Sequence, residues 1–241
     1  MQEFQYHLLA RVEERHWWHR VLRDAIRRAL DEHRPQRSLS VLDVGCGTGG
    51  TLLALAAEHP VAGIDISPLA LDYCKGRGLS HLAQASMEQL PFADDSFDVV
   101  VSIDSISHAS VGSESRALRE HRRVLRPGGL LILQVSAFGW LHGKHDEAVQ
   151  QRSRYTRPEI TGLIEEAGLK VLSARYRLSF IPPLMLLNNW FLSGFRDEEE
   201  NPDLALPSAF TNSLLYAVGR LDLACGGFLP LGSSVFCVGE K

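Results

Sequence analysis

The chain has 241 residues, 45% of them hydrophobic and 22% charged, and a formal net charge of −4. These values are ordinary for a globular protein, and without a long basic run they argue against a nucleic-acid partner, which needs a cationic face. The four cysteines show no metal-type or disulfide spacing, and no signal peptide or transmembrane segment is visible, so we expect a reduced, cytoplasmic protein with no metal.

The N-terminal segment, residues 2–33, carries apolar side chains near helical spacing, which predicts one or two amphipathic helices. It contains the adjacent pair Trp17 and Trp18. Neighbouring residues of a helix point about 100° apart, so we expect one indole to pack in the core and the other to be free to contact substrate. The alternative is a docked helix with one Trp at its rim.

Strands and helices alternate from residue 40 onwards, which predicts βαβ units and a parallel sheet. Strands are expected at 40–44, 61–64, 81–84, 97–103, 130–136, 169–178 and 233–239. Helices are expected at 50–58, 68–77, 113–125 and 158–167, with a loop at 138–154. The chain then divides into a helical lid (1–37), a core (38–178), an apolar helical insertion or cap (179–232) and a final strand (233–241).

The glycine cluster that follows the first strand predicts a ligand site. Asp43 lies at the end of the strand, and Gly45, Cys46 and Gly47 follow. Glycines let a small molecule approach the backbone, and the next helix presents free N–H groups. The glycines also satisfy the dinucleotide pattern G-x-G-x-x-G, but the Asp43 carboxylate would repel a pyrophosphate and suits a cation.

Four sequence blocks resemble the ordered motifs of class I S-adenosylmethionine-dependent methyltransferases, in the small-molecule, UbiE-like or type 11 branch. The blocks are Ser40–Gly50, Val61–Pro68, Leu90–Val101 and Leu125–Leu133. The resemblance covers residues 40–178. It implies an α/β fold with a doubly wound, mostly parallel seven-stranded Rossmann-like sheet, an N-terminal helical lid and a C-terminal helical insertion. It also implies S-adenosyl-L-methionine as cofactor and S-adenosyl-L-homocysteine as product.

The resemblance assigns parts of the cofactor to particular residues. It places the amino-acid end at Asp43, Gly45, Cys46 and Gly47, the ribose hydroxyls at Asp65, and the adenine region at Ile66, Ser86, Met87 and Ile103. Ser86 departs from the family, which usually has Asp there. Other interpretations are that Asp43 caps the turn, that Asp65 caps the next helix and that Met87 fills the core.

Methyl transfer needs an aligned acceptor, excluded water and, for some acceptors, a base. Asp104 and His108 follow the fourth strand and are base candidates, although His108 is equally compatible with a structural role. A second cluster contains His142, His145 and Asp146. We expect His145 as a catalytic candidate and His142 and Tyr155 as substrate contacts; a solvated loop is the main alternative, and a metal site a weaker one.

The resulting hypothesis is methylation of a small or medium-sized, partly apolar acceptor, such as a secondary metabolite or lipid-like molecule, with O- or N-methylation favoured. Peripheral membrane contact and a homodimer are compatible with the apolar insertion. Two alternatives stay open at this point. One is a nicotinamide-dependent oxidoreductase, and the other is a protein that binds S-adenosylmethionine without methylating anything.

Overall fold

The computed structural model describes residues 3–34, 38–183, 206–226 and 229–241, except for the side chains of Lys144 and His145. Much of the expected insertion, including residues 184–205, therefore lies outside the described residues. The helices are α1 Glu3–Val12, α2 Trp17–His33, α3 Gly50–Ala56, α4 Pro68–Gly76, α5 Glu114–Val124, α6 Lys144–Ala148, α7 Arg157–Glu166 and α8 Ala209–Ala224. The strands are β1 Val41–Val44, β2 Val61–Asp65, β3 Leu82–Gln84, β4 Phe97–Ile103, β5 Leu125–Ser136, β6 Lys170–Arg177 and β7 Ser234–Glu240.

The strands form one seven-stranded sheet in the order β3-β2-β1-β4-β5-β7-β6. Its pairs are parallel, except that β7 runs antiparallel to both β5 and β6. The predicted α/β fold with a mostly parallel seven-stranded sheet is therefore confirmed. In this arrangement the carboxyl ends of β1, β2 and β4 meet at one edge, where ligands of open α/β sheets bind.

Most predicted bounds lie within two residues of the structure, and two predicted segments differ by more. β5 begins at Leu125 rather than at residue 130, and the register against β4 shifts between Phe97 and Val99, so that the Pro-Gly-Gly stretch lies in a bulge. The expected loop at 138–154 contains a 3₁₀ turn, Gly139–Leu141, and the short helix α6.

Apolar side chains cover both faces of the sheet. On one face α5 and α7 contribute to the larger cluster, which includes Leu118, Ile160 and Ile164. On the other face α2 buries Leu22 and Ile26, among others, against β1, β4, β5 and β7. α2 thus packs directly on one face of the sheet, whereas α1 lies over the glycine turn after β1.

Helix α8 packs on α2 rather than on the sheet edge. Gly219 permits the close approach, since a Cβ there would lie 2.7 Å from Cγ2 of Val21. Tyr216 donates a hydrogen bond to Asp24 of α2 at 2.8 Å. The outward face of α8 exposes Phe210, among other apolar side chains. No helix in the described ranges combines the length and hydropathy that a membrane crossing requires.

Candidate cofactor site

The turn after β1 has a backbone that favours glycine. All four residues of β1 are buried, and Gly45 and Gly47 then have φ of +79° and +54°, in the left-handed region. A Cβ on Gly45 would lie 2.5 Å from Cβ of Ser105, which follows β4. The corresponding space at Gly47 is open, with only Leu9 as near as 4.0 Å. The turn therefore packs against the end of β4 at Gly45 and leaves a cradle at Gly47.

Asp65 ends β2 beside this turn. Its two carboxylate oxygens accept the backbone N–H groups of Gly47 and Ser67, each at 2.9 Å. Ser67 accepts a hydrogen bond from the Ala70 N–H, so Ser67 is the N-cap of α4. Each oxygen of a carboxylate has a further lone pair, so Asp65 retains acceptor capacity for two hydroxyl groups.

Glu13, in the turn between α1 and α2, is a residue of this site that the sequence does not reveal. It is buried, accepts the Thr48 hydroxyl at 2.5 Å, and pairs with Arg77 of α4 at 2.7 Å. Arg77 also donates to the carbonyl of Ala10 at 3.1 Å. These bonds fix α1 over the turn, where Tyr6 is buried close to the Asp65 carboxylate.

Three carboxylates therefore converge on the turn. Burial, together with the nearby charges of Asp65 and Glu13, raises the pKa of Asp43 to about 8. Burial also raises the pKa of Glu13, although Thr48 and Arg77 oppose this. Such an environment disfavours an anionic ligand and favours one that brings positive charge. S-adenosylmethionine carries a sulfonium and an ammonium group, so the residues present fit it.

The residues expected near adenine occupy the neighbouring side of the turn. Ile66 is 51% exposed at the end of β2, and the Met87 methyl lies 3.8 Å from the position of a Cβ on Gly45. The Ser86 hydroxyl accepts the Glu88 N–H at 3.2 Å, so it caps a local turn. Ile103 is half-buried and packs against the α2 face of the core. The cofactor contacts of these four residues stay a prediction.

Cys46 is buried within the turn and faces α4. Its sulfur lies 4.0 Å from that of Cys74, and Cys74 donates to the Gly47 carbonyl at 3.3 Å. The hydrogen bond with Cys74 and burial raise the pKa of the Cys46 thiol, so the thiol stays protonated. The Cys46 side chain therefore packs the turn against an apolar cluster that includes Leu71 and Cys74 of α4.

Beyond β4 the chain turns sharply at Asp104, whose φ is +48°. The side chain accepts from Nε2 of Gln134 at 3.0 Å, and the Asp104 N–H donates to the Gln134 carbonyl at 2.8 Å. Ser105 then donates to the carbonyl of Val44 at 3.0 Å, which ties this loop to β1. Asp104 therefore lies at the same edge as the glycine turn.

His108 is half-buried, and burial lowers its pKa. Its Nδ1 accepts the N–H of Ser110 at 3.1 Å. The neutral ring must then carry its proton on Nε2, which makes Nε2 a donor. As a base, the ring would have to break the bond to Ser110, so this geometry favours His108 as a hydrogen-bond donor.

The second cluster does not assemble as a catalytic group in the described residues. His142 is exposed, and the side chain of His145 lies outside the described part of the chain. Both oxygens of buried Asp146 bind Arg154, at 2.8 and 3.0 Å. The buried Tyr155 hydroxyl donates to Glu114 at 3.0 Å, and burial raises its pKa to about 12.

The two tryptophans are both engaged in packing. Trp17 is buried with Val21 and Leu178, and its ring centroid lies 6.0 Å from that of Phe180. Trp18 is half-buried and contacts two apolar clusters. Trp17 is therefore the indole that packs in the core, and a contact of the half-buried Trp18 with substrate stays a prediction.

The order of the sheet, the glycine turn after β1 and the acidic residue that ends β2 match the fold of class I S-adenosylmethionine-dependent methyltransferases. Residues 42–133 match the family described as a methyltransferase domain. That segment is therefore similar to the methyltransferase domains of this class, and the cofactor of the class is S-adenosylmethionine.

Curated relatives with quite different names match the same part of the chain. A malonyl-[acyl-carrier protein] O-methyltransferase of Erwinia pyrifoliae is 37% identical over 116 residues, which cover 47% of this chain and 44% of the relative. The human "Probable tRNA methyltransferase 9B" is 35% identical over 113 residues, or 46% of this chain and 24% of the relative. The chain thus spans less than half the length of these two relatives.

Solved structures resemble the fold along nearly the whole chain. A complex of the Haloferax volcanii Trm112 methyltransferase activator with a methyltransferase gives a TM-score of 0.63 at 19% identity, covering 99% of this chain and 94% of that one. An S-adenosylmethionine-dependent methyltransferase of Thermotoga maritima gives 0.62 at 20% identity, covering 98% and 99%. At this identity the likeness concerns the fold alone.

Proposed function

We propose that the protein transfers the methyl group of S-adenosylmethionine to a small or medium-sized, partly apolar acceptor. O- or N-methylation is favoured over C-methylation because these reactions are the more frequent ones in the family that the chain resembles. The observation that carries the proposal is the open cradle at Gly47, lined by the carboxylates of Asp43, Asp65 and Glu13. Backbone amides and carboxylates at that position suit the amino-acid and ribose parts of the cofactor.

In this proposal, Asp65 accepts the ribose hydroxyls with its remaining lone pairs, and Ile66 offers its exposed side chain to one face of adenine. Asp104 and His108 lie where the acceptor meets the methyl group. Displacement at a sulfonium carbon requires no covalent nucleophile, so alignment and exclusion of water are the main contributions of the protein. α1 acts as a lid over the cofactor.

The first test is direct binding. We expect S-adenosylhomocysteine to bind in calorimetry and NAD not to bind. Gly47→Ala should abolish binding, because its Cβ projects into the cradle in a strained left-handed backbone. Gly162→Ala is the matched control, since Gly162 has open space in α7. Binding of NAD instead would favour an oxidoreductase.

The second test concerns the acceptor. Labelled methyl transfer should be measured against small amines, phenols and carboxylic acids of graded apolarity, with bulk tRNA as a separate arm. Transfer to a small molecule supports the proposal. Transfer to tRNA alone would replace the small-molecule acceptor by a nucleic acid. Cofactor binding without any transfer would favour the non-catalytic alternative.

A further inference from the structure

A buried polar chain links Asp104 to a cation on the far side of β5. Gln134 and Arg177 are almost fully buried on the α2 face of the sheet. Nη1 of Arg177 donates to Oε1 of Gln134 at 2.5 Å, and Nε2 of Gln134 donates to Asp104 at 3.0 Å. The three side chains come from β6, β5 and the turn after β4, and they converge only because β7 and β5 bring these elements together.

Arg177 decides which way the Gln134 amide faces. A guanidinium has only donors, so the amide atom that faces it must be the oxygen. The amide NH₂ group must then point to Asp104, where an acceptor is required. Burial lowers the pKa of Arg177 to about 10, and the nearby carboxylates, with Asp222 first, oppose this. Arg177 therefore remains a cation at neutral pH.

Gln134 also controls the backbone of Asp104. Its carbonyl accepts the Asp104 N–H at 2.8 Å, while its side chain donates to Oδ2 of the same residue. Asp104 has φ of +48°, a conformation that Asp and Asn tolerate better than most residues. One residue of β5 thus fixes both the main chain and the carboxylate of Asp104, immediately before the residue that contacts Gly45.

We infer that Arg177 is a positioning residue which, through the side chain of Gln134, holds the Asp104 carboxylate toward the reacting centre. The inference rests on the proposed function. A carboxylate held there is attracted to the sulfonium of S-adenosylmethionine and not to the neutral thioether of S-adenosylhomocysteine. The ratio of the two affinities therefore reports on Asp104 without any acceptor.

The test compares variants that preserve the hydrogen-bonded chain from Arg177 to Asp104 with variants that break it or remove its carboxylate. Asp104→Asn removes the negative charge, and Gln134→Met, which has a similar shape, removes both hydrogen bonds of the amide; each should lower the affinity for S-adenosylmethionine relative to S-adenosylhomocysteine by about fivefold or more. Arg177→Lys keeps a pure donor opposite Gln134 and should retain the wild-type ratio. Arg126→Met removes an arginine paired with Asp98 at the surface and should also retain it.

A second readout follows the amide itself. The NMR signals of the Gln134 side-chain NH₂ group can be assigned by their absence in Gln134→Met. Their chemical shifts should be unchanged in Arg177→Lys and should change in Arg177→Met. Asp104→Asn should move the same signals, since it removes the acceptor. Denaturant unfolding of each variant establishes that it is folded at the temperature of the binding experiment.

The outcomes separate the two proposals. If neither cofactor form binds the wild-type protein, the proposed function fails. If both bind and Asp104→Asn leaves their ratio unchanged, Asp104 does not face the reacting centre and the inference is overturned. The positioning role is refuted if Asp104→Asn lowers the affinity for S-adenosylmethionine relative to S-adenosylhomocysteine but folded Gln134→Met does not. It is also refuted if the chemical shifts of the Gln134 amide are the same in Arg177→Met as in the wild type.

Discussion

His121 lies on the buried face of α5 and has no exposed surface. Within the described ranges, neither ring nitrogen has a hydrogen-bond partner. Burial lowers its pKa from 6.5 to about 4, because the charged imidazolium loses its hydration, and the Glu120 carboxylate opposes the change only partly. We therefore predict that this ring makes the protein sensitive to acid.

The sign follows from which state binds the proton. Below pH 6.5 the unfolded chain protonates His121 while the folded protein does not, so this residue destabilises the fold increasingly as pH falls to about 4. The linkage gives a loss of about 2 kcal/mol between pH 7.5 and pH 5. Asp43, whose pKa is raised, acts in the opposite direction, so only a comparison with a variant isolates His121.

The variant is His121→Leu, which fills a similar volume without a titrating group. Its free energy of unfolding in urea should match or exceed that of the wild type at pH 7.5, since two unpaired buried nitrogens are removed. At pH 5 the variant should be more stable than the wild type by about 2 kcal/mol in addition. His81→Leu, at an exposed site, controls for the loss of a surface imidazole. Equal pH dependence in His121→Leu and the wild type would refute the reasoning.

Three further predictions concern the site and the helical layer. Binding of S-adenosylmethionine at pH 7 should release a proton from Asp43, whose pKa is about 8, and calorimetry in buffers of different ionisation enthalpy should show this release reduced in Asp43→Asn. Glu13→Gln should speed tryptic cleavage of the N-terminal segment, because the turn after α1 loses its ion pair with Arg77 at the end of α4; an unchanged rate would show that this ion pair does not hold α1 in place. Gly219→Leu should destabilise the fold by about 2 kcal/mol through its clash with Val21, whereas Gly162→Leu should not; equal effects in urea unfolding would contradict the close contact.

The parts of the fold that sequence reasoning predicted are those set by local rules. The apolar runs predicted the parallel strands, and the N-caps Ser67 and Thr156 are of residue types that are preferred at this position. The glycine turn after β1 was predictable because the left-handed backbone at Gly45 and Gly47 needs glycine. These signals lie within a few residues of each other along the chain.

The parts that were missed depend on partners far away in sequence. Glu13 meets Thr48 across 35 positions, and Arg177 meets Gln134 across 43. In the sequence alone, nothing distinguishes these residues from other charged or polar residues. Tyr155 was expected to contact substrate, but its partner is also far away in sequence. Its hydroxyl donates to Glu114, and its ring belongs to the hydrophobic core.

The position of β7 has a consequence for the order in which the chain folds. Among the described strands β6 pairs with β7 alone, and residues 178–233 lie between these two strands. During synthesis β6 therefore lacks its neighbouring strand until β7 has left the ribosome and inserts between β5 and β6. Arg177 reaches Gln134 only after that insertion, so the hydrogen-bonded chain that fixes Asp104 is completed only when β7 has joined the sheet. Folding of the early strands can precede this step, but maturation of the proposed reacting centre cannot.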